Sequence, residues 1–139
     1  MSSQKFLLDT NIISDLVRNP QGLVAERIEW EGESSICSSI IVASELRFGA
    51  MKKFQQTGSR RLIERVELIL SAIDILPFET PAEYHYAEIR VFLEQKGIPI
   101  GANDLLIAAH ARANALVMVS ANFSEFSRVP ELMVDNWLQ

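Results

Sequence analysis

The sequence has a single cysteine, Cys37, so no internal disulfide can staple the fold. Glycine and proline are sparse, at 6 and 5 residues, and no repeat, low-complexity tract or linker-like stretch marks an internal boundary. No run approaches the ~18 uninterrupted apolar residues that a membrane-spanning helix needs. The opening MSSQKF carries one lysine and lacks the apolar region of ~7–15 residues that defines an export signal. A lone thiol and no export signal lead to the expectation of a cytoplasmic protein. A basic excess is also missing: 13 Lys and Arg against 18 Asp and Glu leave a net charge of −5. That balance argues against non-specific nucleic-acid binding, which runs on phosphate neutralisation. It leaves room for a nucleic-acid enzyme whose acids gather at one site and whose bases line the approach. What is present is 139 residues at 48% hydrophobic content, enough for one domain, 1–139, around one core.

Strand and helix signals alternate along the chain. FLL (6–8) reads as a short buried strand, and NIISDLVR as a helix that stops at Asn19-Pro20. A second helix, GLVAERIEWEG, closes near Gly32, and SSICS (34–38) is a short strand. IIVASELRFGA reads as a helix with a glycine at its end, and RRLIERVELILSAI carries the clearest helical period of the chain. DILPF follows as a strand. Thr80-Pro81-Ala82-Glu83 matches a capping box opening a helix that runs to about Gly97. GIPIGAN is a loop, DLLIAAHARAN a small-residue helix, ALVMVS an almost wholly apolar strand, and LMVDNW a last strand. Strands alternating with helices, some apolar on both faces, imply an α/β fold with a parallel sheet covered by helices.

Placed on this map, the acids converge. Asp9 ends the first strand, Asp104 lies in the first turn of the helix after GIPIGAN, and Asn122 follows the ALVMVS strand. Glu45 sits on a helix among apolar and small residues. In open parallel sheets ligands bind at the carboxyl ends of strands, where connections switch direction. Carboxylates gathered there repel one another unless a cation lies between them. Hard oxygen donors without Cys or an obligatory His point to Mg²⁺ or Mn²⁺ rather than Zn²⁺, and such a centre suits phosphodiester hydrolysis. Each residue also has a plainer role: Asp9 as a helix cap, Asp104 as a first-turn acid, Glu45 as a solvated helix residue and Asn122 as a turn residue. A receiver-type signalling domain also gathers acids at a sheet edge around Mg²⁺. Here, however, Asp9 has no acidic neighbour and SSICS ends without Asp.

LLDTNI, IIVASELRFGA, IGANDLLIAAHA and VSANFSEF, in this order and from Phe6 to Trp137, closely resemble the PIN-domain ribonucleases, specifically the VapC toxins of bacterial toxin–antitoxin pairs. The resemblance implies a PIN-like α/β domain, with a central parallel sheet of four to five short strands flanked by helices. It also implies a Mg²⁺-dependent endoribonuclease, with Mn²⁺ as a substitute, that cuts RNA to inhibit translation and growth; tRNA is the favoured target, ahead of rRNA and mRNA. The family's acidic quartet falls on Asp9, Glu45, Asp104 and Asn122. Asp9, Asp104 and Glu45 are the implied metal ligands, with Asn122 joining directly or through water. Asn where many members have Asp removes a charge and favours one tightly bound ion over two. Thr10, Asn11 and Ser120 occupy positions that contact the metal shell or support its carboxylates. The implied partners are a cognate VapB-type antitoxin that occupies the site, a second copy in a homodimer, and promoter DNA only through the antitoxin. A non-catalytic PIN-like binding module is the remaining alternative.

Other residues have quieter readings. Arg47, Lys52 and Lys53, with Arg60, Arg61 and Arg65, form either a solvated face or an RNA approach. His110, six residues past Asp104, points about 120° away from it on a helix and reads as packed or hydrogen-bonded. His85 reads as surface, Cys37 as core, and Trp30 and Trp137 as core or edge packing. Asp15, Asp74, Glu79, Glu88 and Glu125 read as solvated or capping, with Glu125 the next residue expected near the site.

Overall fold

Phe6, Leu7 and Leu8 form β1 (Phe6–Leu8) and are all buried, because this strand lies at the centre of a sheet. The computed structural model describes residues 5–139; the reading of MSSQKF rests largely on residues outside that range. The other strands are β2 (Ile36–Ser39), β3 (Asp74–Leu76), β4 (Val117–Val119) and β5 (Val134–Asp135). They stand in the order β3-β2-β1-β4-β5, and every pairing is parallel. Parallel neighbours need long crossovers, and helices supply them. α1 (Thr10–Arg18) and α2 (Leu23–Glu31) link β1 to β2, and α3 (Ile40–Thr57) and α4 (Arg61–Ala72) link β2 to β3. α5 (Ala82–Lys96) and α6 (Ala102–Ala113) link β3 to β4, and the single turn α7 (Phe123–Phe126) precedes β5.

This order positions the site. The chain leaves β1 toward β2 and β3, then returns to lay β4 on the other side of β1, so the switch point falls between β1 and β4. Leu8 pairs with Val119, and the Asp9 amide still donates to the Val119 carbonyl at 2.9 Å. Asp9 and Ser120 therefore leave the sheet side by side. Beneath them lies one apolar core in which Leu7, Leu8, Ile12, Ile13, Ile107 and Met118 have no exposed surface. Removing any of these side chains from water contributes about 1.5–3 kcal/mol, which holds the strand ends rigid.

Several local expectations are corrected. α3 does not end at Gly49 but runs to Thr57, where Gly58 caps it at φ +71° and donates to Phe54 at 2.7 Å. A helical glycine costs only about 1 kcal/mol, and the buried faces of Leu46 and Ala50 on either side outweigh it. The capping box does not form either. The Thr80-Pro81 bond is cis, Pro81 stands at the cap, and no side chain caps α5. β2 begins two residues later than expected because Glu33–Ser35 forms a 3-10 turn. Trp137 is buried against Phe6, ring centroids 5.1 Å apart, but Trp30 is 83% exposed. Val24 and Ile28 take the inward stripe of α2, and two residues beyond Ile28 a helix has turned about 200°. His85 is half-buried rather than on the surface, its Nδ1 accepting from Arg112 Nε at 2.9 Å.

Candidate active site

Asp9 caps α1 and faces the crevice at once. Its Oδ1 accepts from the Thr10 amide at 2.8 Å, and its Oδ2 accepts from Ser120 Oγ at 2.7 Å. The residue is only 3% exposed, and burial pushes its carboxyl above the ordinary value despite these two donors. The plain capping role and the site role thus fall on the same side chain. Thr10 and Asn11 do not cap. The Thr10 hydroxyl donates to Glu45, and Asn11 Oδ1 accepts from the Ala121 amide at 3.1 Å, tying α1 to the turn after β4.

Glu45 reaches this edge from the second turn of α3, where Ser39 caps the helix by accepting from Ile41 at 3.0 Å. One carboxylate oxygen takes the Thr10 hydroxyl, and the other accepts from Asn103 Nδ2 at 3.0 Å. Asp104 lies in the first turn of α6 and is partly buried. Burial first, then the charges of Asp9, Glu125 and Glu45, raise its pKa to about 6; the Asn122 amide partly offsets them. Asn122 donates through Nδ2 to Glu125 and, at 3.5 Å, to Asp104. With its nitrogen so placed, the amide would have to turn to offer its oxygen to a cation. Glu125, the next acid expected near the site, is therefore part of it.

The four quartet positions line one open cavity of about 380 Å³ together with Thr10 and Asn11, and Ser14 and Arg18 close its α1 side. A larger depression of about 750 Å³ lies at the far end of α1, around Asn19 and Leu138, and holds none of the four. Carboxylate, carboxamide and hydroxyl oxygens with no thiol or imidazole make a donor set suited to a hard divalent cation. Among the described residues, no three His, Cys, Asp or Glu side chains are drawn together as a ready-made metal cluster. The oxygens of Asp9 and Glu45 are instead engaged by hydroxyl, amide and backbone donors. His110 lies outside the cavity. It is 1% exposed, shares a 2.8 Å hydrogen bond between Nδ1 and Ser39 Oγ, and packs edge-on against Phe78. Burial holds its imidazole below the usual value, as expected of a packing residue. Asn103, Ser14 and Arg18 were not singled out from the sequence. For Asn103 the Asn-Asp dipeptide at the head of α6 was a usable signal.

The chain matches the PIN domain family over residues 6–132. The chain belongs to the PIN domain family. Within it, the chain is 35% identical to the tRNA(fMet)-specific endonuclease VapC of Salmonella typhimurium, covering 96% of this chain and 98% of that one. It is equally 35% identical to ribonuclease VapC2 of Rickettsia felis, covering 95% and 97%. The VapBC2 structure from Rickettsia felis bound to a promoter DNA fragment superposes with a TM-score of 0.88 at 33% identity, over 96% of this chain and 99% of that one. DNA-bound VapBC from Salmonella typhimurium superposes equally well, at 0.88 and 34%, over 97% and 99%. No described helix of this PIN domain is long and apolar enough to cross a membrane.

The basic residues downstream of Glu45 divide in two. Arg47 is held by Glu67 through a fork of 2.9 and 3.0 Å, which satisfies the guanidinium and lowers the Glu67 carboxyl. Lys52 and Lys53 are exposed and follow Glu45 by seven and eight residues, two turns along the same helix face. If the basic run serves as an RNA approach, Lys52 and Lys53 would offer charges that no ion pair holds among the described residues, whereas Arg47 would first have to leave Glu67. Lys52→Ala with Lys53→Ala is expected to flatten the salt dependence of RNA affinity by about 2 log units per log unit of salt, and Arg47→Ala by clearly less. Filter binding across a salt series reads the slopes; an equal or larger loss for Arg47→Ala would reverse this ranking.

Proposed function

We propose that this PIN domain, with the whole chain 1–139 working as one unit, is a VapC-type toxin: an endoribonuclease that hydrolyses RNA phosphodiester bonds, tRNA in the first place. The observation that carries the reading is the meeting of Asp9, Glu45, Asp104 and Asn122 around one cavity at the β1–β4 switch point. It does so in a chain that aligns end to end with VapC ribonucleases. The family match displaces the receiver-type alternative, and the three acids that remain of the quartet, with Asn122 in the fourth place, speak against a non-catalytic module. Asp9, Asp104 and Glu45 would hold Mg²⁺, or Mn²⁺ in its place, with Asn122 contributing directly or through water. Such an ion, when bound, lowers the pKa of a water and offsets charge on the phosphoryl group.

The chain's own residues prepare that chemistry. Ser120 and the Thr10 amide fix both oxygens of Asp9, so the carboxylate is aimed without loss of rotamer freedom on binding. Thr10 and Asn103 hold Glu45 from two different elements. Asn122 spaces Asp104 from Glu125 by donating to both. We further propose a cytoplasmic protein that forms a homodimer, is neutralised by a cognate VapB-type antitoxin, and contacts promoter DNA only through that antitoxin. The VapBC complexes that share this fold support the antitoxin. The deciding experiment incubates the purified, antitoxin-free protein with tRNA, rRNA and mRNA in Mg²⁺ or EDTA and sequences the cleaved ends. Mg²⁺-dependent cuts at discrete tRNA positions are expected; no cleavage of any RNA in Mg²⁺ or Mn²⁺ overturns the reading.

A further inference from the structure

We propose that Arg18 holds a phosphate of the bound RNA beside the bond that is cut, making it the substrate-positioning cation of this site. The inference rests on the ribonuclease reading and adds to it a residue that neither the acidic quartet nor the basic run of α3 contains. Among the described residues, Arg18 is the one cationic side chain lining the acid cavity. Thr10, Ser14 and Arg18 are four residues apart, so they form one stripe along α1 that leads from the Asp9 end outward. Long side chains on a helix lean back toward its N-terminus, which favours the side of Ser14 and the acids for the Arg18 guanidinium, although the residue also borders the 750 Å³ depression at the far end of α1.

Its lack of a partner is the second observation. Arg27, Arg47, Arg90 and Arg112 are each engaged by a carboxylate. Among the described residues, no hydrogen bond, ion pair or ring contact engages Arg18, although Asp15 lies three positions before it on the same helix. Asp15 is instead taken by Asn19 Nδ2 at 3.0 Å. An exposed guanidinium on a cavity lined by the carboxyls of Asp9, Glu45 and Asp104, yet paired with none of them, is left with five donors for a ligand. A planar fork of N–H groups suits a phosphodiester oxygen pair, and in a chain of net charge −5 it supplies local attraction for a polyanion at the point of entry. Arg18 also borders a neighbouring groove of about 370 Å³ between α1, α3 and α4, so it stands where that groove runs into the cavity. A purely local role, as a last-turn cation facing the α1 dipole, would be filled equally well by lysine and would not touch RNA.

The test separates these roles. RNA affinity is compared for Asp9→Asn and for Asp9→Asn with Arg18→Gln, since the first change removes turnover while keeping the fold. The added change is expected to weaken binding about tenfold and to lower the salt slope by about one. In the otherwise unaltered protein, Arg18→Gln is expected to raise KM about tenfold with kcat within about threefold, and Arg18→Lys to recover part of the loss. Thermal midpoint and Mg²⁺ affinity by calorimetry should not move. Unchanged RNA affinity and KM overturn the proposal, as does a loss confined to thermal stability. A loss of antitoxin binding alone overturns it too, and places Arg18 in the protein interface. If the unaltered chain cleaves no RNA while the affinity difference persists, the nuclease reading fails and the Arg18 contact stands.

Discussion

Asp9→Asn is expected to lower RNA cleavage by about a thousandfold or more, with no loss of thermal stability. The activity falls because the substitution removes one of the charges placed at the switch point, while geometry is kept. Asn caps a helix as well as Asp does, so the Thr10 amide keeps its acceptor. The new amide nitrogen can donate to Ser120 Oγ, which also accepts from the Asn122 amide, so the hydroxyl keeps two partners and only its own proton loses an acceptor. Stability holds because Asp9 is 3% exposed with its carboxyl raised by burial, so a neutral side chain removes a desolvation cost. Asp9→Ala behaves differently. It loses the cap, worth about 1 kcal/mol, and strands the buried Ser120 hydroxyl at a further cost of about 1–3 kcal/mol. Cleavage rates on the preferred RNA, with melting curves of both variants, check the contrast. Cleavage by Asp9→Asn within about tenfold of the unaltered protein removes Asp9 from the reacting centre.

The contrast shows how far the chain's own pattern reaches. A three-residue apolar strand ending in an acid is legible because the sheet edge is where desolvated charge is tolerated only with partners. The positions of Asp104 and Asn122 follow from the same rule, since both come immediately after apolar or loop segments that end at that edge. Partnerships across elements were not legible. Nothing local to Thr10 shows that its hydroxyl would reach Glu45, 35 residues away, rather than cap the helix it begins. Nor does RFGA announce that the helix continues through Gly49, because the deciding term is the burial of Leu46 and Ala50 against other helices. Arg47 looked like any member of the basic run until α4 brought Glu67 to it. Periodicity and caps report on a residue's own turn; pairing across the fold reports on topology, and it is topology that divides the free cations from the bound ones.

Asp104→Asn has the second largest expected effect, with opposite signs for activity and stability. Cleavage should fall as for Asp9→Asn, since Asp104 lines the same cavity. Stability in EDTA should rise or hold at neutral pH. The Asp104 carboxyl is raised from 3.8 to about 6 in the folded protein, by burial and by the charges of Asp9, Glu125 and Glu45. The folded state thus binds this proton more tightly than the unfolded chain. The resulting cost is fully present above about pH 6, shrinks as pH falls through that value, and vanishes below 3.8, where both states are protonated. A gap of this size amounts to ~3 kcal/mol at most, and partial exposure with solvent screening cuts it to roughly 1 kcal/mol. The charge lost from the first turn of α6 takes back a few tenths of a kcal/mol, since an acid there favours the helix dipole. The variant should therefore melt up to about 3 °C above the unaltered protein at pH 7.5, with the difference closing toward pH 4. Mg²⁺ should reverse the order, because an ion held by these acids stabilises the unaltered chain more than a variant with one acid fewer. A clear drop in the EDTA melting point at pH 7.5 would mean that Asp104 serves the helix and not the site.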